Sequence, residues 1–406
     1  MGSPTLLPLK AGHDPTPTPP GRASPSPSGR YLAVALATSF LLYLLPIDLV
    51  LLRPFALLAD ALFAERYCDP SELASGIGGQ WVPWDVDAHT WPRLKASVGY
   101  GFCHDANRTA LSCSAAAAAA AGSGSWTERD ARRRLEDLAG LNGWGWEPEG
   151  CAVRPFNPET LLERLALGAK SGKSRAGKGS GILFVGGESA RRQAQSLECL
   201  LGRYVDRGNI LDEKRGTVRL EGGAGNIDFV WNDALANPVD WTLVLPEEEE
   251  CSSAHNTTSE CWTRLARGKE FVVVNSGETL LPLTPTRFAR YTNIAKQVIQ
   301  FIDTRSHATL IVRSSVPPLP LNCTDPVLGV NQTQAALDAA ARDIDSLNTV
   351  WKDLLWDHPR HLFLDVTSIM GALPVRRSSH TCLRDCLPGP VDTWNVLLAH
   401  MILQSR

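Results

Sequence analysis

Gly181–Leu201 reads GILFVGGESARRQAQSLECLL, and its interpretation decides the fold. The apolar run Ile182–Val185 has the length of a short buried strand, and Gly186-Gly187 interrupts it. From Glu188 to Leu201 the apolar residues recur at helical spacing. Strand, tight glycine turn and helix put the turn at a strand's carboxyl end and a helix's amino end. α/β folds place nucleophiles and oxyanion donors there, because unpaired helix N–H groups converge on that point. The same residues also fit an ordinary βα junction with no chemistry attached.

Downstream, Thr242–Leu245, Phe271–Val274, Thr309–Val312 and Leu362–Leu364 are short apolar runs suited to buried strands. Between them, Phe288, Tyr291, Ala295, Val298 and Ile302 share one helix face, and Leu337, Ala340, Ile344, Leu347, Trp351 and Leu354 share another. This alternation predicts an α/β fold over residues 181–406: a three-layer core around a largely parallel sheet, with the stripes as core. Upstream, residues 66–160 hold few strand-like runs but many Trp, Cys and Gly, and read as a smaller N-terminal lobe. The run Ala115–Ala121 and the tract Gly168–Gly181 read as surface insertions. Gly172-Lys173-Ser174 invites a phosphate-loop reading. That motif needs glycine where Leu167 stands and a strand before the loop, so the reading fails.

Composition bounds the setting. With 44% hydrophobic residues, the 406-residue chain has material for a sizeable core. A net charge of -3, with no basic cluster interleaved with aromatics, argues against nucleic-acid binding. Residues 1–30 are rich in Pro, Ser and Thr and read as a disordered cytosolic tail. Residues 31–52 are almost wholly apolar, weakened only by Pro46 and Asp48, and long enough to cross a bilayer. They exceed a signal-peptide core, so they read as an uncleaved anchor. Lys10, Arg22 and Arg30 precede this span and predict that the tail stays cytosolic. All ten cysteines follow the span, as do the glycosylation sequons at Asn107, Asn256, Asn322 and Asn331. Both partitions predict a single-pass type II protein with its C-terminal domain, residues 66–406, in the secretory lumen.

Several blocks then carry a resemblance. Cys68-Asp69 precedes the pair Trp81-Val82, and Trp146-Glu147-Pro148 runs to Cys151 and Phe156. Phe184, Val185, Gly186, Arg191, Gln193, Ser196, Leu197 and Cys199 follow without a gap. Then come Asn275-Ser276-Gly277-Glu278, and Arg313 with Ser315 and Pro317. Last are Cys382, Cys386-Leu387-Pro388-Gly389 and Asp392-Thr393-Trp394-Asn395. From Cys68 onward the chain resembles the trichome-birefringence-like family of Golgi polysaccharide O-acetyltransferases, the PC-esterase branch of the SGNH/GDSL hydrolase fold.

That family acts through an acyl-serine, activated by the Asp and His of a DxxH motif, because a serine hydroxyl needs a base at neutral pH. In gapless register its GDS aspartate and serine fall on Gly187 and Glu188, and its DxxH pair falls on Thr381 and Arg384. A carboxylate cannot form and release the same ester, and an arginine is no general base. Ser189, one residue late, and His380 with Asp385, one residue outside the frame, are the available substitutes for the triad. The resemblance keeps an altered cleft at Gly186, Gly187, Arg191, Asn275 and Gly277, with oxyanion donors at the turn, Asn275 and Gly277. It therefore implies a Golgi glycan-binding pseudoenzyme or altered enzyme. The alternative is an active O-acetyltransferase or acetylesterase using Ser189. Implied partners are a polysaccharide, the membrane through the N-terminal helix, and a membrane protein supplying acetyl groups. No cofactor or metal is expected, since the histidines are scattered and the cysteines fit disulfides. The family positions imply the pairs Cys68–Cys151, Cys103–Cys199, Cys323–Cys382, Cys113–Cys386 and Cys251–Cys261.

Overall fold

The computed structural model describes residues 66–75, 78–83, 144–170, 181–205, 215–236, 241, 243, 262–317, 334–371 and 390–405. The tail, the apolar span 31–52, the four sequons, and Thr381, Arg384, His380 and Asp385 lie outside the described residues. Among the described residues no helix is long and apolar enough to cross a membrane.

Strands β1 (Gly79–Pro83) and β2 (Trp144–Pro148) pair antiparallel, with Trp81 opposite Trp146. The two tryptophan blocks at either end of the N-terminal region thus bind each other. Six further strands form the main sheet: β3 (Gly181–Gly186), β4 (Arg215–Arg219), β5 (Asn226–Trp231), β6 (Phe271–Asn275), β7 (Thr309–Arg313) and β8 (Leu362–Leu364). Their order is β4-β5-β3-β6-β7-β8, parallel throughout except for β4 at the edge. The helices are α1 (Pro70–Ala74), α2 (Pro158–Lys170), α3 (Glu188–Leu201), α4 (Trp262–Ala266), α5 (Pro285–Phe301), α6 (Gln334–Trp356), α7 (Val366–Gly371) and α8 (Pro390–Gln404).

Alternation along β3 builds the three layers. Ile182 and Phe184 pack with α2, α3 and α8, whereas Leu183 and Val185 pack with α4, α5 and α6. A strand covered on both faces is apolar at every position, which is why this run carries no polar alternation. The expected stripes sit inward for the most part: Tyr291, Ala295 and Val298 on α5, and Ile344, Leu347 and Trp351 on α6, are buried, whereas Phe288, in the first turn of α5, is exposed.

Two strands differ from the sequence expectation. Leu243 is buried but lies in no strand, and most of Thr242–Leu245 falls outside the described residues. The sheet is instead completed by β4 and β5. Asp228 interrupts the apolar run of β5 and hides it from a hydropathy reading. The carboxylate is tolerated because it pairs with Lys269 and accepts the Thr217 hydroxyl.

The N-terminal region is closed on itself by a disulfide and fastened to the core by polar links. Cys68 and Cys151 form the disulfide that the family positions imply. By loop entropy a closure of this separation is worth roughly 4–5 kcal/mol. His400 on α8 accepts the Arg154 N–H at Nδ1 (3.0 Å), so its Nε2–H donates to the Cys68 carbonyl (2.8 Å). Burial pushes its pKa down and favours this neutral tautomer. Cys199 is also disulfide-bonded, to a cysteine outside the described residues. All described residues belong to one compact unit, Glu65–Arg406.

Candidate functional site

The parallel strands β3, β5, β6, β7 and β8 run in the spatial order 2-1-3-4-5, so the winding direction reverses between β3 and β6. Open α/β sheets bind ligands outside the carboxyl ends of the strands at such a reversal. The glycine turn after β3 and Asn275–Gly277 after β6 meet there. Gly186 must be glycine: a Cβ would lie 2.2 Å from the Asn275 carbonyl oxygen and 2.8 Å from Ala190 Cβ. Close approach of β6 and of α3 to one point is what builds this corner.

Glu188, the residue in the nucleophile position, starts α3. Arg191 grips it with two hydrogen bonds, Nε to Oε2 (2.8 Å) and Nη2 to Oε1 (2.6 Å), and Arg192 Nε adds a third to Oε1 (2.8 Å). Burial pushes the Glu188 carboxyl up, but the hydrogen bonds and charges of the two guanidiniums outweigh it and hold the pKa below the usual value. The carboxylate is therefore ionised, ion-paired and a weak nucleophile. Its attack on an acyl group would give a mixed anhydride rather than an ester.

Ser189 occupies the second position of α3 and is 1% exposed. Its substitute partners His380 and Asp385 lie outside the described residues. Both expected donors from β6 are engaged internally. Asn275 Nδ2 donates to Ser315 Oγ (2.8 Å) and the Arg313 carbonyl (3.4 Å), and the Gly277 N–H donates to the Asp233 carbonyl (3.3 Å). Gly277, at φ 104°, holds a left-handed conformation that delivers this bond. The first turn of α3 opens at this corner, with Gly187 as its N-cap.

The resembling blocks converge beneath this corner as scaffold. Asn395 on α8 donates to Ser196 Oγ (2.8 Å) and to the Gln193 carbonyl (2.9 Å) on α3. Asp392 accepts the Ser196 hydroxyl, and Arg313 stacks over Trp394 at 4.6 Å. Asn348 brackets Ser315, accepting its N–H and donating to its carbonyl.

Sequence reasoning missed two features. Asp233, in the loop after β5, lies against the elbow, and its carboxyl is pushed up to about 6 by burial, with the nearby Glu278 charge adding to it. Its single letter in Trp231-Asn232-Asp233 carries no signal, since the contact is long-range. The second feature is the cluster Asp303, His358 and His361, whose candidate ligand atoms lie within 4.8 Å of one another. The His358-x-x-His361 spacing was its only trace. The donor set does not suit a cation: His361 Nδ1 accepts the Leu310 N–H (3.2 Å), so Nε2 carries the proton that faces Asp303 Oδ1 (3.1 Å). A metal-bound imidazole would need the opposite arrangement, and the Arg360 guanidinium stands 3.7 Å from the same oxygen.

Fold and corner together define a doubly wound α/β protein with a strand–turn–helix elbow at its topological reversal. Among curated proteins the chain is a relative of the trichome birefringence-like proteins and of plant polysaccharide O-acetyltransferases. It is 24% identical to Protein trichome birefringence-like 9 of Arabidopsis thaliana, over 66% of this chain and 74% of that protein. It is 22% identical to Xyloglucan O-acetyltransferase 1 of Populus trichocarpa, over 64% of this chain and 71% of that protein. A shorter match, 28% identical over 34% of this chain and 33% of the relative, is to Probable xylan O-acetyltransferase 11 of Oryza sativa subsp. japonica. No family model matches the chain.

Proposed function

We propose that this protein is a Golgi-lumenal, single-pass type II glycan-binding relative of the polysaccharide O-acetyltransferases that has lost their acyl-serine chemistry. The observation that carries this reading is Glu188 in the nucleophile position, locked by Arg191 and Arg192. Without a serine hydroxyl at that point there is no acyl acceptor. Ser189, the nearest hydroxyl in sequence, is buried. The elbow's remaining groups bind rather than transform. The Glu188 carboxylate, the two guanidiniums and the first amides of α3 are the hydrogen-bonding set that recognises sugar hydroxyls. Relatives named for xyloglucan and xylan support a polysaccharide as the ligand class. The apolar span and the placement of cysteines and sequons support the lumenal topology.

The full-length protein should leave a serine-directed fluorophosphonate probe unreacted, yet be retarded in affinity gels containing xyloglucan or xylan. Endoglycosidase should lower its mass. Labelling that disappears in Ser189→Ala would overturn the pseudoenzyme reading. Unretarded migration in every polysaccharide would overturn the binding reading.

A further inference from the structure

The loop after β5 reaches across the end of β3. The Asn232 N–H donates to the Gly186 carbonyl (3.0 Å), and the Asp233 carbonyl accepts the Gly277 N–H (3.3 Å). Asn232 and Asp233 between them thereby touch both lips of the reversal point. Its carboxylate is 4% exposed with the rest of the residue, and its two oxygens differ. Oδ2 accepts the backbone N–H (2.7 Å) and hydroxyl of Thr279. Oδ1 is buried with no hydrogen-bond partner among the described residues. Leaving such an oxygen unsatisfied costs free energy, so its position calls for a cause.

Gly187 supplies it. The φ of Gly187 is -89°, which any residue can adopt, so backbone conformation does not require glycine here. Space does. A Cβ at position 187 would lie 3.2 Å from Asp233 Oδ1 and 3.4 Å from both Cβ and Cγ of Asp233. Asp233 Oδ1 therefore lies against Gly187, where the turn has no side chain. In the register of the family resemblance, position 187 is where the turn would carry an aspartate.

We propose that Asp233 is the positioning carboxylate of this elbow, occupying from β5 the space that an acidic side chain at position 187 would take, so that Gly187 and Asp233 form a matched pair. The proposal rests on that register but not on whether the crevice binds glycan or performs chemistry. An aspartate at position 187 would press on Asp233 sterically and set two carboxylates side by side in a buried place. Among the described residues the charged and titratable groups facing Asp233 are Glu278 and Tyr291, and neither offers a compensating cation. The space between position 187 and the loop after β5 accepts one carboxylate, from one side or the other.

A double-mutant cycle on the full-length chain tests this, read as the thermal midpoint at pH 7.5 and pH 5. Gly187→Asp should lower the midpoint by about 4–8 °C with Asp233 present. In the Asp233→Ala background the same change should cost less than half as much. With Asp233 present the penalty should shrink at pH 5, where Asp233 takes up a proton. Gly187→Asn, sterically alike but uncharged, should cost the same at both pH values. That contrast separates the electrostatic role from mere packing. Equal penalties for Gly187→Asp in the two backgrounds would overturn the pairing, and an equal pH response of the Asp and Asn variants would overturn the role as carboxylate. If Gly187→Asp yields no folded protein, the yield of disulfide-intact chain replaces the midpoint. Recovery on adding Asp233→Ala supports the pair, and equal loss in both backgrounds contradicts it.

Discussion

Two polar clusters at opposite ends of the main sheet treat their buried groups in opposite ways. At the amino ends of β7 and β8, His361 accepts from Leu310 and faces Asp303, which also meets His358 and Arg360. That circuit is closed, and it clasps the turn after α6 to the π-helical turn Ile302–Ser306. At the carboxyl ends of β3, β5 and β6, Asp233 Oδ1 and Asn275 Oδ1 are buried without partners among the described residues. The Asp303 cluster spends its polar groups on stability. The second carries unsatisfied groups and a carboxyl shifted to about 6, the combination that marks ligand-handling corners.

The largest effect should come from the corner's geometry. Gly186→Ala puts a Cβ 2.2 Å from a backbone oxygen that belongs to the central sheet and cannot swing away. We expect a loss above about 4 kcal/mol, the range of severe overpacking, seen as failure to yield folded protein. Gly222→Ala has open space but a φ of 68°, so its smaller loss isolates backbone strain as a control. A well-folded Gly186→Ala protein would break the claim that β3, β6 and α3 meet within contact distance.

The contrast between the ends can be sharpened by pH. The Asp233 pKa is raised from 3.8 to about 6, so its contribution is fully present below about 3.8 and lost as pH rises through 6. Asp233→Asn should therefore stabilise the protein above pH 6, by about 1–3 kcal/mol, and lose that advantage near pH 4. His361 runs the other way. Burial lowers its pKa from 6.5 to about 4, against the weaker upward pull of Asp303. Its contribution is present above about 6.5 and fades as pH falls towards 4. Denaturation midpoints of the wild type and Asp233→Asn across pH 4–8 would show whether the two groups oppose each other. Parallel profiles would remove the distinction.

A smaller effect is expected at Glu188. Its carboxylate is more than a third exposed, so screening leaves its three contacts worth less than about 1 kcal/mol. Glu188→Gln should barely move the denaturation midpoint, while altering polysaccharide retardation if this group meets the ligand.

How much of this was legible in the sequence follows from the range of each interaction. The elbow, β6, β7, β8 and the stripes of α5 and α6 announce themselves through local hydropathy, because each is buried by its own repeating pattern. Strand β5 does not, since Asp228 is neutralised by Lys269, forty-one residues downstream. The Cys68–Cys151 bond was legible only through family positions. Asp233 and the His361 clasp were not legible, because a lone polar residue shows its role only through neighbours distant in the chain. Even where the elbow was recognised, sequence could not show that the Asn275 amide and the Gly277 N–H are already committed to Ser315, Arg313 and Asp233.

The central claim is that the elbow no longer forms an acyl-enzyme. The most direct measurement is intact-protein mass spectrometry of the full-length chain, quenched in acid during incubation with p-nitrophenyl acetate. The account predicts an unchanged mass and ester hydrolysis no faster than with Ser189→Ala. An added acetyl group mapped to Ser189, absent from the Ser189→Ala protein, would contradict it.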